Sequence, residues 1–174
     1  LGLDNEQLAA VAAKVGADCP FFIYNRLMLV EGIGDVMTPV AAPGLDDLWV
    51  LAAKIPGTEV STRQAYAGVS PAELPDDIDM GAALQCDPAE WVGKGLTNDF
   101  EPSVFAAQPG VAALKDWFNA DGGRCAYCSM SGSGSTVYGV YHSHEDACIY
   151  EEKLRHAYPG ADIFVGRLSS RPVG

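Results

Sequence analysis

Five consecutive residues, Ser131-Gly132-Ser133-Gly134-Ser135, alternate hydroxyl side chains with glycines. Glycine enters left-handed backbone that other residues avoid, so successive N–H groups in such a stretch can turn toward an anion or a polar substrate. The same residues would also make a plain flexible turn between strands, and the motif alone leaves both readings open. It is not a Walker A loop, because no Gly-Lys-Ser/Thr follows. Nor is it the dinucleotide fingerprint, which needs a third glycine and a helix after it. Asp18, within Val15-Gly16-Ala17-Asp18-Cys19-Pro20-Phe21-Phe22, is the second candidate. A carboxylate there can accept or orient a hydroxyl proton in phosphoryl transfer when a cation moderates the repulsion between nucleophile and phosphate. An Asp just ahead of Pro20 is equally an ordinary turn former. Tyr66 could stack on a flat ring while Thr62 or Arg63 supplies polar contacts, or it could simply pack half-buried. His142 and His144 with Glu145 have the types for a metal site, but no fourth ligand has an obvious place. Cys125 and Cys128 form a CxxC in a strand-like stretch without a second cysteine pair, and read as buried thiols rather than zinc or redox groups.

These residues must be held by regular elements. Asp4 or Asn5 caps a helix through Leu8, Val11 and Val15 that Gly16 ends. Residues 21–24 and 27–31 read as extended runs around an Asn25-Arg26 turn, with a Gly32/Gly34 break and a further strand over 36–40. From Trp49, a continuously apolar run predicts a central strand closed by Pro56-Gly57, and Ser61 or Thr62 opens a short helical turn. Residues 70–79 read as a surface loop; Asp79 and Asp87 each cap a short helix, the second carrying Trp91. Asn98 or Asp99 opens a longer helix, broken by Pro109-Gly110, with Val104, Phe105, Val111, Leu114 and Phe118 as apolar anchors. Strands over 124–129 and 136–141 flank the Gly/Ser loop as antiparallel neighbours. Ser143 caps a helix from His144 to about Ala157, and 162–166 is the last strand. That order is the split βαβ of a ferredoxin-like α+β sandwich, with one helical layer over one sheet around a single core.

Composition narrows the partners. The chain has 174 residues, 48% hydrophobic and 20% charged, and a formal charge of −12. Those proportions exclude wholesale disorder, and the acidity argues against a general nucleic-acid surface or attraction to anionic membranes. No apolar run reaches membrane-spanning length. Five cysteines, odd in number and without framework spacing, fit a reducing, cytoplasmic setting. The chain opens on Leu1 rather than Met, which leads to the expectation of a piece of a longer protein. The hairpin-like strands before residue 40 have few neighbours in this sequence, so they are expected either to lie in a sheet begun upstream or to support self-association.

The segments 16–22 after an apolar helix, Glu31-Gly32-Ile33-Gly34 with Thr38-Pro39-Val40, Val60-Ser61-Thr62 to Tyr66, Thr97-Asn98-Asp99-Phe100-Glu101 and 130–136 resemble, in order and at about its spacing, a known family. It is the galactokinase, homoserine kinase, mevalonate kinase and phosphomevalonate kinase (GHMP) superfamily, and the resemblance covers nearly the whole chain. It implies an ATP-dependent small-molecule kinase using Mg²⁺, similar to the branch that phosphorylates the 2-hydroxyl of a cytidyl-linked methylerythritol in the non-mevalonate route to isoprenoids. It implies Asp18 as the catalytic carboxylate, Tyr66 as the ring stacked on cytosine, and Thr62 in the same pocket. Gly132, Ser133 and Gly134 would form the substrate-side wall. It further implies residues 1–44 as a remnant of the N-terminal domain and 45–174 as the ferredoxin-like C-terminal domain.

The family's catalytic lysine and its long Gly/Ser-rich phosphate loop have no counterpart here. No residue of this sequence is therefore assigned to the nucleotide, and these residues alone are expected to be inactive. Two other readings remain at this point. One is a superfamily kinase for homoserine or a mevalonate derivative, which would have no use for a stacking ring at Tyr66. The other is a non-catalytic ferredoxin-like ligand-binding module, which would leave Asp18 and the uncovered strands without a purpose.

Overall fold

The computed structural model describes residues 2–69, 78–120 and 122–170. The surface loop expected over 70–79 falls for the most part outside these residues. At the N-terminal end, α1 (Asn5–Ala12) starts from a capping box: Gln7 N–H donates to Asp4 Oδ1 at 2.8 Å while Asp4 N–H donates to Gln7 Oε1 at 3.1 Å. The helix ends before the expected Gly16, leaving Val15 beyond it and exposed. Residues 21–24 are not extended. They lie in α2 (Cys19–Tyr24), which carries Pro20 in its first turn and stops at Asn25 in the left-handed region, φ 44°. A two-stranded hairpin follows, β1 (Met28–Glu31) with β2 (Val36–Pro39), in the register Met28 opposite Pro39 to Glu31 opposite Val36.

The main sheet has the antiparallel order β4-β5-β3-β6. Its strands are β3 (Trp49–Lys54), β4 (Tyr127–Met130), β5 (Val137–Tyr141) and β6 (Asp162–Arg167). Central β3 pairs with β5 on one side and β6 on the other, so the first and last strands are neighbours and the hairpin β4–β5 adds outside them. That is the split βαβ order expected from the sequence. Strand β4 begins later than expected, at Tyr127 rather than Arg124.

Alternation along the strands sorts side chains onto two faces. Leu51, Ala53, Cys128, Met130, Val137 and Tyr141 meet Val104 of α5 (Glu101–Ala107), Val111, Leu114 and Phe118 of α6 (Pro109–Asn119), and Ala147, Tyr150 and Leu154 of α7 (His144–Ala157). The buried residues of α6 and α7 recur at three- and four-residue steps, the stripe a helix needs to lie on a sheet. Ser143 caps α7 by accepting from Asp146 N–H at 3.0 Å, with Glu145 and Asp146 in the first turn and Arg155 and His156 in the last, matching the helix dipole.

The single core expected from the sequence is two. Tyr127 and Val140, on the other face, pack against Ala42, Leu45, Leu48, Ala83, Trp91 and Leu96. This second layer is built from short pieces: a 3-10 turn at Pro43–Asp47, α4 (Met80–Ala83) capped by Asp79, and 3-10 turns at Pro88–Glu90 and Val92–Lys94, the first capped by Asp87. Among the described residues no helix is long and apolar enough to cross a membrane.

Candidate functional site: a cleft between a helix start and a glycine hairpin

The β4–β5 connection is the Gly/Ser loop. Ser131 N–H donates to Thr136 O at 2.8 Å, and Gly134 N–H to Ser131 O at 2.9 Å. Both glycines are required: Gly132 has φ 53° and Gly134 φ 87°. At Gly134 a Cβ would also lie 2.6 Å from the buried Met130 Sδ, whereas at Gly132 it would meet nothing within 4 Å. One glycine thus serves packing, and the other faces open space.

The loop is tied to the start of α3 (Thr62–Ala67), which follows β3 after the Gly57 turn. Buried Thr58 hydrogen-bonds through Oγ1 to Ile55 O at 2.6 Å and to Ser135 Oγ at 3.0 Å. Thr62 Oγ1 and Ser133 Oγ share a hydrogen bond at 3.1 Å. Four residues on, at the spacing that brings side chains to one helix face, stands Tyr66. Its ring meets Phe100 edge-to-face at 4.8 Å and 70°, yet the residue stays 66% exposed. A ring braced by one aromatic neighbour and otherwise exposed is available to stack.

Tyr66, Gly132 and Asn98 border a cleft of about 740 Å³, floored by Tyr127, Ser129 and Tyr138 of the second sheet face and reached from the N-terminal hairpin by Val30. Burial pushes the hydroxyls of Tyr127 and Tyr138 above the ordinary tyrosine value, Tyr138 strongly. At neutral pH the floor therefore offers neutral phenols rather than charge. Tyr127 donates to Leu96 O at 3.0 Å.

The structure thus gathers Thr62, Tyr66, Gly132, Ser133 and Gly134 around one loop. Asp18 stands elsewhere. It is the N-cap of α2, with φ −82° and ψ −13° and no side-chain cap hydrogen bond, and it is exposed. Gly34 (φ +99°) folds back against it, so close that a Cβ there would lie 3.3 Å from Asp18 Oδ1. Asp18 does not line the cleft beside Tyr66. The two histidines face different partners: His142 Nε2 lies 3.5 Å from Asp87 Oδ2, and His144 stacks on Trp49 at 4.1 Å. Among the described residues no group of three or more His, Cys, Asp or Glu is placed to hold a metal ion. All five cysteines are free thiols.

Sequence reasoning missed Asn98 and Glu101. Asn98 or Asp99 was expected to open the helix, but α5 starts from Phe100, with Glu101 in its first turn. Asn98 Nδ2 instead donates to Met130 O at 2.6 Å and Gly132 O at 2.8 Å. Glu101 Oε1 accepts from Met130 N–H at 2.8 Å and Ser129 Oγ at 3.2 Å, while Oε2 pairs with Lys115.

The ferredoxin-like sheet with this glycine hairpin defines a GHMP kinase C-terminal domain, and residues 82–160 match the family model described as GHMP kinases C terminal. Residues 82–160 carry this family's domain. The chain is similar to proteins named 4-diphosphocytidyl-2-C-methyl-D-erythritol kinase. One from Porphyromonas gingivalis is 39% identical over 145 residues, 81% of this chain and 50% of the relative. Another, from Nitratidesulfovibrio vulgaris, is 36% identical over 171 residues, 94% of this chain and 56% of the relative. The chain spans about half the length of the curated relatives it matches. Among solved structures, one titled as a 4-(cytidine 5'-diphospho)-2C-methyl-D-erythritol kinase superposes with a TM-score of 0.72 at 28% identity, over 94% of this chain and 57% of that one. A homoserine kinase from Cytophaga hutchinsonii superposes at 0.69 over 98% of this chain and 60% of that one; at 19% identity it shows the shared fold alone.

Proposed function

We propose that this chain forms the substrate-binding part of a small-molecule kinase of isoprenoid biosynthesis, acting on 4-diphosphocytidyl-2-C-methyl-D-erythritol at its 2-hydroxyl. The observation that carries the reading is the largely exposed ring of Tyr66 on a cleft that Gly132 of the glycine hairpin also lines. A flat pyrimidine stacks on that ring, and Thr62 with Ser133 offers hydroxyls to its polar groups. Gly132 keeps its part of the wall free of a side chain. Asp18 is the group that takes the proton from the acceptor alcohol. Residues 1–44, which carry it, belong to the N-terminal domain of the whole enzyme and residues 45–174 to the C-terminal one. The names of the relatives support the substrate, and the homoserine kinase supports the fold.

ATP would be the phosphoryl donor and Mg²⁺ its companion. The glycine hairpin does not fit the triphosphate, because it spends two of its N–H groups on its own turn and joins two strands rather than opening a helix. Mg²⁺ asks for only one or two carboxylates beside phosphate oxygens, so it would travel with the nucleotide. What these residues contribute is recognition, orientation and, at Asp18, a proton acceptor.

Calorimetric titration with cytidine 5'-diphosphate tests the reading. Stacking of a base on an aromatic side chain contributes about 1–3 kcal/mol, so Tyr66→Ala should weaken binding about tenfold or more while Tyr66→Phe retains it. Equal affinities for Tyr66→Ala and the unaltered chain would remove the ground for a cytidyl substrate.

A further inference from the structure

We propose that Asn98 and Glu101 are the positioning residues of this cleft, fixing from one turn both the 131–135 loop and, through Phe100, the stance of Tyr66. The proposal rests on the reading of the cleft as a ligand site and deepens it.

Strand β4 is the outermost strand of the order β4-β5-β3-β6, and its last residue, Met130, leads directly into the loop. An outer strand presents backbone groups on the side away from its partner. Here two side chains take the place of a neighbouring strand: Glu101 accepts from the Met130 N–H and Asn98 donates to the Met130 carbonyl. Asn98 uses the second proton of the same amide on the Gly132 carbonyl, so one planar group spans both sides of Ser131. Its oxygen accepts from Phe100 N–H at 3.0 Å, the Asx turn that aims Phe100. Phe100 then meets the Tyr66 ring edge-to-face. Lys115 holds the other oxygen of Glu101.

The donor and acceptor pattern is specific. Asp at 98 would have the same shape but no donors, and would turn a carboxylate oxygen toward two carbonyl oxygens. Gln at 101 would keep an acceptor for Met130 but direct an amide N–H₂ at the Lys115 ammonium. Both changes alter hydrogen bonding and leave side-chain volume almost untouched. Because the two cleft walls are anchored in one turn, a change there displaces the loop and Tyr66 together.

The test compares the unaltered 174-residue chain with Asn98→Asp and Glu101→Gln by NMR and by titration with cytidine 5'-diphosphate. The expected result for Asn98→Asp is a linked shift of the Gly132 and Gly134 amides and the Tyr66 ring, with Leu51 and Leu154 resonances in place. Affinity for cytidine 5'-diphosphate should fall about tenfold, the order of a hydrogen-bonded support lost from the cleft wall. Glu101→Gln should move the same resonances by less. It decides the matter by the same criteria if Asn98→Asp does not fold. Unmoved loop and Tyr66 signals in a folded variant would overturn the proposal, as would shifted signals with unchanged affinity. If the unaltered chain itself binds no cytidine 5'-diphosphate, the ligand reading falls, while linked shifts of loop and ring would still support the positioning.

Discussion

Tyr138 and Tyr127 set the chemical character of the cleft floor. Their rings lie 6.1 Å apart, at diagonal positions of the β4–β5 pair, where Tyr127 opposes Val140 and Tyr138 opposes Ser129. For both, burial is the leading cause of the upward displacement; for Tyr138 the neighbouring Tyr127 adds to it. A phenol that stays protonated in the fold but ionises in the unfolded chain stabilises the fold fully below the unfolded value. That contribution is lost as pH rises beyond it. Unfolding in urea should therefore show stability falling as pH climbs above about 10, the ordinary tyrosine value. The fall should be shallower for Tyr138→Phe, which has one fewer group to ionise. Parallel curves for the two proteins would mean that Tyr138 is not held neutral by the fold.

At the scale of elements, α6 and β5 meet where Gly139 leaves room. A Cβ at Gly139 would lie 2.6 Å from Phe118 Cδ1 and 2.8 Å from Cys125 Sγ, and Phe118 is fully buried with nowhere to go. Gly139→Ala should cost about 1–3 kcal/mol in urea unfolding, the usual penalty of overpacking a filled core. A variant as stable as the unaltered protein would show that α6 can slide on the sheet. Strands β3 and β5 and helix α7 were legible in the sequence because each carries a local signal: the apolar run 49–53, the Val- and Tyr-rich run 137–141, and Ser143 followed by Glu145 and Asp146 ahead of a spaced apolar stripe. Residues 21–24 were not, because Phe, Phe, Ile and Tyr favour strands by side-chain type. The backbone terms prevailed instead, with Pro20 pre-set for a first helical turn and Asn25 able to close the helix in the left-handed region. Of the cleft, the glycine loop and Tyr66 were visible as types in isolation. Asn98 and Glu101 were visible as part of a segment shared with the family, but their roles were not, since their partners are backbone groups of Met130 and Gly132 about thirty residues away, and no local pattern marks a side chain that pairs with a distant strand edge. The second core was missed for a related reason: its cover is a chain of 3-10 turns and one short helix, none with a period to read.

On the scale of the whole molecule, the two ends of the described chain are held by different means. Strand β3 is bonded on both sides, and its Leu51 and Ala53 are within the main core. The segment over residues 5–39 bonds chiefly to itself, α1 against α2 and β1 against β2, and it exposes Val11, Val15, Phe22, Ile33 and Val36. A two-stranded hairpin is marginal in water without a covering layer. Amides that can open locally exchange by that route, whereas those of a central strand bonded on both sides wait for global unfolding. Hydrogen exchange should therefore rank Leu51 and Ala53 as the slowest amides and those of 28–39 as much faster, within one folded sample. Protection over 28–39 equal to that of β3 would mean that something in the sample covers this face, and raising or lowering the protein concentration would tell whether it is another copy of the chain. Asp18 sits at the junction of α1 and α2 with the hairpin turn, beside Gly34. The exchange rate of that segment therefore also measures how firmly the proposed proton acceptor is held relative to the cleft, and slow exchange there would accompany a fixed distance between Asp18 and Tyr66.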